Sequence, residues 1–230
     1  MKRIAIALVG DFDEKMYTHI SLNASIDHCR PHLPFELEAK WVSTQHCDEI
    51  MSAEKLYSGI WIAPGSPYKN ESNVLKLIRW ARENNTPLLG TCGGFQFMAL
   101  EYARNKLKIP DAGHAESGDS LNPVISLLSC WLKGQDEQIS IPDKDSWFFN
   151  IFKSHTINGR YYCSYGVNPN YYKMLNQHPF IFAAFSPAGD VRAFELFGHR
   201  FFKGTLFQPS LDSTEHRPNP LIVGFFNACV

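Results

Sequence analysis

Gly90-Thr91-Cys92-Gly93-Gly94 holds the densest chemistry in the chain. A cysteine with glycine two residues to either side suits a sharp strand-to-helix turn, because side chains at the flanking positions would collide. Such an elbow lifts the thiol out of the sheet. The helix beginning there favours the thiolate, and its free N–H groups can hold a developing oxyanion. Cys92 is therefore a candidate nucleophile towards an amide or related carbonyl group. A glycine-rich turn carrying an inert cysteine has the same letters, so position has to separate the two. The segment follows the apolar Pro87-Leu88-Leu89 and precedes a helical pattern. That puts Cys92 at the carboxyl edge of a strand, where sites in parallel sheets form.

The elements that must hold this turn are readable on both sides of it. Ile4–Gly10 is a continuous apolar run, as in a strand buried on both faces. Ser21–His28 reads as a helix ended before Pro31, Glu36–Val42 as a second strand and Gly59–Ala63 as a third. A helix is expected over about Glu71–Asn84, with Val74, Leu75, Ile78 and Ala81 as its apolar stripe and Asn70 or Ser72 as its cap. Pro87–Thr91 is a fourth strand and Phe95–Lys106 a further helix. This alternation predicts an α/β fold with a mostly parallel central sheet flanked by helices. Beyond it, Gln138–Ile141, Arg160–Tyr165, Ile181–Ser186, Val191–Phe197 and Gly204–Phe207 lean to short strands, Pro187–Asp190 to a hairpin turn, and Pro220–Ala228 to a closing helix.

Composition bounds the function. In 230 residues, 44% hydrophobic and 20% charged, a substantial core fits, and one domain over 1–230 is expected. A net charge of -1 argues against nucleic-acid binding through bulk positive charge. No apolar run is long enough to span a membrane, and the N-terminus does not read as a signal peptide. A cytoplasmic protein with reduced thiols is expected. Of the six cysteines, Cys29, Cys47, Cys130, Cys163 and Cys229 are expected to be packing residues, with no paired spacing to suggest a metal. No cofactor is implied.

Several motifs in one order resemble the class I glutamine amidotransferases, and in particular the glutaminase domain of CTP synthase. Gly59-Ile60-Trp61-Ile62-Ala63-Pro64-Gly65 resembles that family's strand and oxyanion loop. Ala81-Arg82-Glu83-Asn84 through Leu89-Gly90-Thr91-Cys92-Gly93-Gly94-Phe95-Gln96, then Glu101–Asn105, Asp111-Ala112 with Glu116, Tyr165 with Val167-Asn168-Pro169, and Gly204–Ser210 continue it. The resemblance implies a flavodoxin-like sandwich with a nucleophile elbow. It also implies Cys92 as nucleophile, Gly65 and Gly93 N–H groups as oxyanion donors, and substrate contacts from Ser66, Gln96, Glu116, Arg160, Tyr165, Gln208 and Ser210. The resemblance takes up residues 1–230, and no synthetase domain is expected within them.

The family's Cys-His-Glu triad is matched only at Cys92. Gln208 stands at the His position and Ser210 at the Glu position. Gln exchanges no proton near neutral pH, and Ser supplies no orienting charge, so ordinary glutamine hydrolysis is doubtful. Pro67 removes an N–H from the oxyanion loop. Arg160-Tyr161-Tyr162-Cys163-Ser164-Tyr165-Gly166 aligns with the family's R-H-R-H-R-Y-E and keeps only the first Arg and the Tyr. His19, His114 and His155 are the candidates for a replacement base. Asp11, Asp13 and Glu14 could bring a carboxylate near the site, and Tyr161, Tyr162, Tyr165, Tyr171 and Tyr172 could line a pocket or fill strand faces.

Three functions fit these residues. One is a divergent Cys-dependent enzyme acting on an amide or related carbonyl compound, and this is the preferred reading. A second is a non-catalytic module that binds a metabolite or partner. The third is a glutaminase subunit supplying ammonia to a separate synthetase. The partner expected is a small molecule, with a glutamine-like one as a candidate, a second copy of the chain or a synthetase subunit as further candidates, and neither nucleic acid nor membrane.

Overall fold

In a computed structural model, residues 2–52, 56–118, 120–129 and 132–230 are described. Cys130 lies outside the described residues. The chain runs β1 (Arg3–Val9), α1 (Tyr17–Cys29), β2 (Glu36–Val42), α2 (Cys47–Ser52), β3 (Gly59–Ile62), α3 (Glu71–Glu83), β4 (Leu88–Thr91) and α4 (Gly93–Asn105). It continues through β5 (Ala112–His114), β6 (Asn122–Leu127), β7 (Asp136–Ser140), α5 (Trp147–Phe152), β8 (Thr156–Arg160) and β9 (Tyr165–Val167). It closes with α6 (Tyr172–Leu175), β10 (Phe180–Phe185), β11 (Val191–Leu196), β12 (Phe202–Thr205) and α7 (Pro220–Ala228).

Among the described residues, the main sheet has the strand order β2-β1-β3-β4-β12-β11-β10-β7-β8. β2, β1, β3, β4 and β12 run parallel, and β11, β10, β7 and β8 extend the sheet antiparallel. Every residue of β3, β4 and β12 is buried, which is why their sequences are continuous rather than alternating. Helices α1, α5 and α7 pack together, and α2, α3 and α4 form a second group. A small sheet, β5-β6-β9, stands apart from the main one. No helix of the described residues is long and apolar enough to cross a membrane.

The parallel half follows the expectations closely. Asn70 caps α3 by accepting from the Asn73 N–H at 3.0 Å, and Ser72 is not the cap. α1 starts four residues earlier than Ser21, at Tyr17, because its N-cap, Met16, makes no side-chain cap and leaves no polar start signal. The hairpin at Pro187–Asp190 is present, with the Ser186 N–H donating to the Asp190 carbonyl at 2.8 Å.

The strand expected over Arg160–Tyr165 is overturned. β8 ends at Arg160, β9 begins at Tyr165, and 161–164 is loop. Its aromatic residues read as strand formers, but Tyr161 is drawn into the interior by a hydrogen bond to Glu137 at 2.9 Å. Freed from alternation, Tyr162 and Cys163 both reach one cavity.

Candidate active site

The elbow at Cys92 is built as the glycines require. Cys92 has φ 54° and ψ -107°, outside the ordinary regions for a side-chain-bearing residue, and it is the N-cap of α4. A Cβ on Gly94 would run into the Ile62 carbonyl, and one on Gly90 would sit 2.7 Å from the Gly94 backbone carbon. Only glycine lets the start of α4 lie this close to β3 and β4. The Cys92 N–H donates to the Thr205 carbonyl at 2.9 Å, across the parallel pair in which Thr91 faces Thr205. Trp61 Nε1 donates to Thr91 Oγ1 at 3.0 Å and fixes the strand end from the β3 side. The Cys92 side chain makes no cap bond, which leaves the first-turn N–H groups of α4 open to a ligand.

The loop after β3 closes over the elbow. Gly65 takes φ +115°, which favours glycine, and Ser66 packs on Gly93 so closely that a Gly93 Cβ would lie 3.1 Å from Ser66 N. Tyr68 Oη donates to the Ala63 carbonyl at 2.6 Å. Asp11 ties the loop down by accepting from the Lys69 N–H at 2.8 Å and from Ser43 and Thr44. Burial alone would raise the Asp11 carboxyl, but these donors hold it below its usual range. Asp11 is thus an anchor of the loop after β3, and it also lines a separate surface cavity with Asp13 and Glu14.

Cys92 opens on a cavity of about 220 Å³. Of the expected site residues, Gly65, Ser66, Gln96, Glu116, Tyr165 and Gln208 line it with Cys92, and Gly93 lies beneath the loop that forms its rim. Arg160 does not. Its guanidinium turns to Asp136 at 3.4 Å and the Leu211 carbonyl at 3.3 Å, on the wall of a neighbouring cavity of about 350 Å³. Ser210 is buried in the turn after Gln208 and is not among the lining residues. Of the tyrosines, Tyr162 and Tyr165 line the cavity. Tyr171 and Tyr172 serve structure, bonding to Asn122 and the Val191 N–H.

The candidate histidines are engaged elsewhere. His19 accepts from the Asp13 N–H at 3.1 Å on Nδ1 and donates from Nε2 to the Pro64 carbonyl at 2.9 Å. It staples α1 to two loops. His114 accepts from the Glu116 N–H at 3.2 Å and donates from Nε2 to Gln96 Oε1 at 3.0 Å. Burial pushes it down to about 4, so the ring is neutral. Gln96 in turn donates to the Tyr165 carbonyl at 2.7 Å, which fixes its orientation in the cavity wall. His155 Nδ1 donates to the Ile141 carbonyl at 2.9 Å, away from Cys92. The Cys92 sulfur instead meets the Tyr162 carbonyl at 4.0 Å and the Cys163 thiol.

The sequence does not mark Met16, Thr18, Lys133, Cys163 and Ser164 as lining residues, and all five line the cavity. Cys163 was assigned to packing, and its position corrects that. Lys133, with Nζ 4.6 Å from the centre of the Tyr162 ring, sits in a loop with no motif to mark it. Glu116 Oε2 and both side-chain polar atoms of Gln208 are buried without a hydrogen-bond partner among the described residues. Gln208 is only 1% exposed, and it forms part of the wall of both cavities.

A family model described as "Glutamine amidotransferase class-I" matches residues 16–228, and the chain belongs to that family. Within it, the chain is similar to CTP synthases. That of Campylobacter jejuni subsp. doylei is 30% identical over 249 residues, covering 99% of this chain and 46% of that protein. The chain thus spans under half the length of the curated relatives it matches. The solved glutaminase domain of Trypanosoma brucei CTP synthase with bound acivicin superposes with a TM-score of 0.90 at 25% identity, covering 98% of this chain and 93% of that one. A glutamine amidotransferase of Thermotoga maritima shares the fold, with a TM-score of 0.61 at 10% identity over 98% of this chain and 96% of that one.

Proposed function

We propose that residues 1–230 act as one amidotransferase-like unit whose Cys92 attacks a small, glutamine-like amide or related carbonyl compound. The observation that carries this reading is the elbow itself. A positive-φ cysteine at a helix start is a costly conformation, and such strain persists where chemistry uses it. Gly65 and Gly93 N–H groups are the proposed oxyanion donors. Glu116 and Lys133 are opposite charges on one cavity wall and suit an ammonium and a carboxylate. Gln208, with unused donor and acceptor, and Ser66, Gln96 and Tyr165 complete the substrate contacts.

Glutamine hydrolysis at the rate of a complete triad is not part of the proposal, because no imidazole or carboxylate among the described residues bonds to the Cys92 sulfur. That same observation favours a second reading, a pocket that binds without turnover. Acivicin, the molecule bound by the T. brucei domain, separates the two. Incubation followed by peptide mass spectrometry is expected to place an adduct on Cys92, faster than on free cysteine, and none in Cys92→Ala. Labelling no faster than free cysteine supports the binding module and rejects the enzyme. Ammonia release from glutamine is expected at background, and Gln208→His with Ser210→Glu is expected to raise it about 10²-fold by restoring acid–base exchange. Rapid release by the unaltered chain would instead support the glutaminase subunit.

A further inference from the structure

A second thiol shares the Cys92 cavity. Cys163 lies in the loop between β8 and β9, and the Cys92 sulfur is 4.0 Å from the carbonyl of the preceding residue, Tyr162. Both thiols line the same cavity, and both residues are under a tenth exposed. Cys29, Cys47 and Cys229 are buried elsewhere and line no part of it. The Cys163 sulfur also faces the Leu206 carbonyl at 3.8 Å. The neighbouring Cys92 thiol, then burial, push the Cys163 thiol well above the usual thiol range. Cys163 therefore holds its proton, while Cys92 stands at the start of α4 beside its open first-turn N–H groups. This is the asymmetry of an attacking and a resolving thiol.

We propose that Cys92 and Cys163 form a redox dithiol that reduces small hydroperoxides and closes to an intramolecular disulfide. The reaction suits what the site holds and what it lacks. Amide cleavage needs a residue to carry a proton to the leaving amine, and no imidazole or carboxylate among the described residues bonds to the Cys92 sulfur. Peroxide cleavage needs a sulfur nucleophile and N–H donors for the departing oxygen, and the elbow presents both. In the first step Cys92 sulfur attacks one peroxide oxygen. The Cys92 thiol proton passes to solvent, the O–O bond breaks, the departing hydroxide or alkoxide takes up a proton in its turn, and Cys92 becomes a sulfenic acid. In the second, Cys163 sulfur attacks the Cys92 sulfur. The S–S bond forms, the S–O bond breaks, and hydroxide leaves with the Cys163 proton as water. The peroxide is reduced by two electrons and the dithiol oxidised by two. An external dithiol returns the pair to the reduced state and is itself oxidised to a disulfide. Because 161–164 is loop, the S–S closure does not have to break a strand ladder.

The test treats the reduced protein with equimolar hydrogen peroxide at neutral pH, then counts free thiols and maps peptides without reduction. Two thiols are expected to disappear and a Cys92–Cys163 linked peptide to form, at least about ten-fold faster than free cysteine is oxidised. In Cys163→Ser, oxidation is expected to stop at a Cys92 sulfenic acid that dimedone traps, while the acivicin adduct still forms. A serine keeps the size and polarity of the cavity wall that Cys163 helps to line, so loss of the linked peptide with the adduct retained reports the second thiol rather than the amide chemistry. Cys163→Ala serves as a second variant, with circular dichroism to check folding of both. No linked peptide, a bond to another cysteine, or oxidation at the free-cysteine rate would overturn the proposal.

Discussion

The two sides of Cys92 are built to different standards. Towards β3 and β4 the polar groups named at the elbow are spent: Trp61 on Thr91, Tyr68 on Ala63, Asp11 on the Lys69 N–H. Towards β11, β12 and the 161–164 loop, buried polar atoms are left over. Both Gln208 side-chain atoms have no partner among the described residues, and Glu116 Oε2, on the same cavity, adds another. Orphaned buried groups cost free energy, so a protein that keeps them on one wall and not the other has a use for that wall. The first side holds Cys92 rigidly. The second offers unsatisfied donors and acceptors to whatever enters.

The largest effect should come from disturbing the rigid side. In Gly94→Ala the new methyl group meets the Ile62 carbonyl, a backbone atom that cannot swing aside. A loss of about 3 kcal/mol is expected in urea unfolding, with slower labelling of Cys92. A loss near zero would mean that the helix start shifts freely, and the contrast between the two walls would go with it.

An intermediate effect is expected from acid, at the seam between the walls. His114 has both ring nitrogens in use and a folded value of about 4, against 6.5 for an unperturbed ring. The folded value is depressed, so the unfolded chain binds the proton more readily. Stability from this residue is full above 6.5 and is lost as pH falls from there to about 4. Because the residue is only 4% exposed, the loss is on the order of 2 kcal/mol. His114→Gln should remove that part of the pH dependence in a series of unfolding curves. An unchanged series would show that His114 is not what holds Gln96 in the wall.

How much of this was legible in the sequence follows the same division. The parallel half announces itself, because buried strands are continuous apolar runs and an elbow needs glycine at fixed positions. The rebuilt wall does not. Tyr161 and Tyr162 look like strand residues, and only the Glu137 and Arg192 pair, with Arg192 Nε donating to Glu137 at 2.7 Å, explains why Tyr161 turns inward and the ladder stops. Lys133 and Cys163 reach the cavity from loops, where side-chain direction has no period to read. Arg160 matched a family position in sequence, yet it faces Asp136.

The smallest effect tests the division most directly. Gln208→Met keeps an unbranched side chain of similar length and removes both orphaned polar atoms at a position 1% exposed. If those atoms are held for a ligand, the variant should be more stable by about 1 kcal/mol, because a buried group without a partner is worse than none. It should also bind or react less well, seen as slower acivicin labelling of Cys92. Stability and labelling would then move in opposite directions, a trade expected where function keeps a locally unfavourable residue. A variant that gains stability and labels as before would make Gln208 a residue of the wall only, leaving substrate recognition to Glu116, Gln96 and Lys133. A variant that loses stability would mean that Gln208 is satisfied in solution, and the unsatisfied wall would shrink to Glu116.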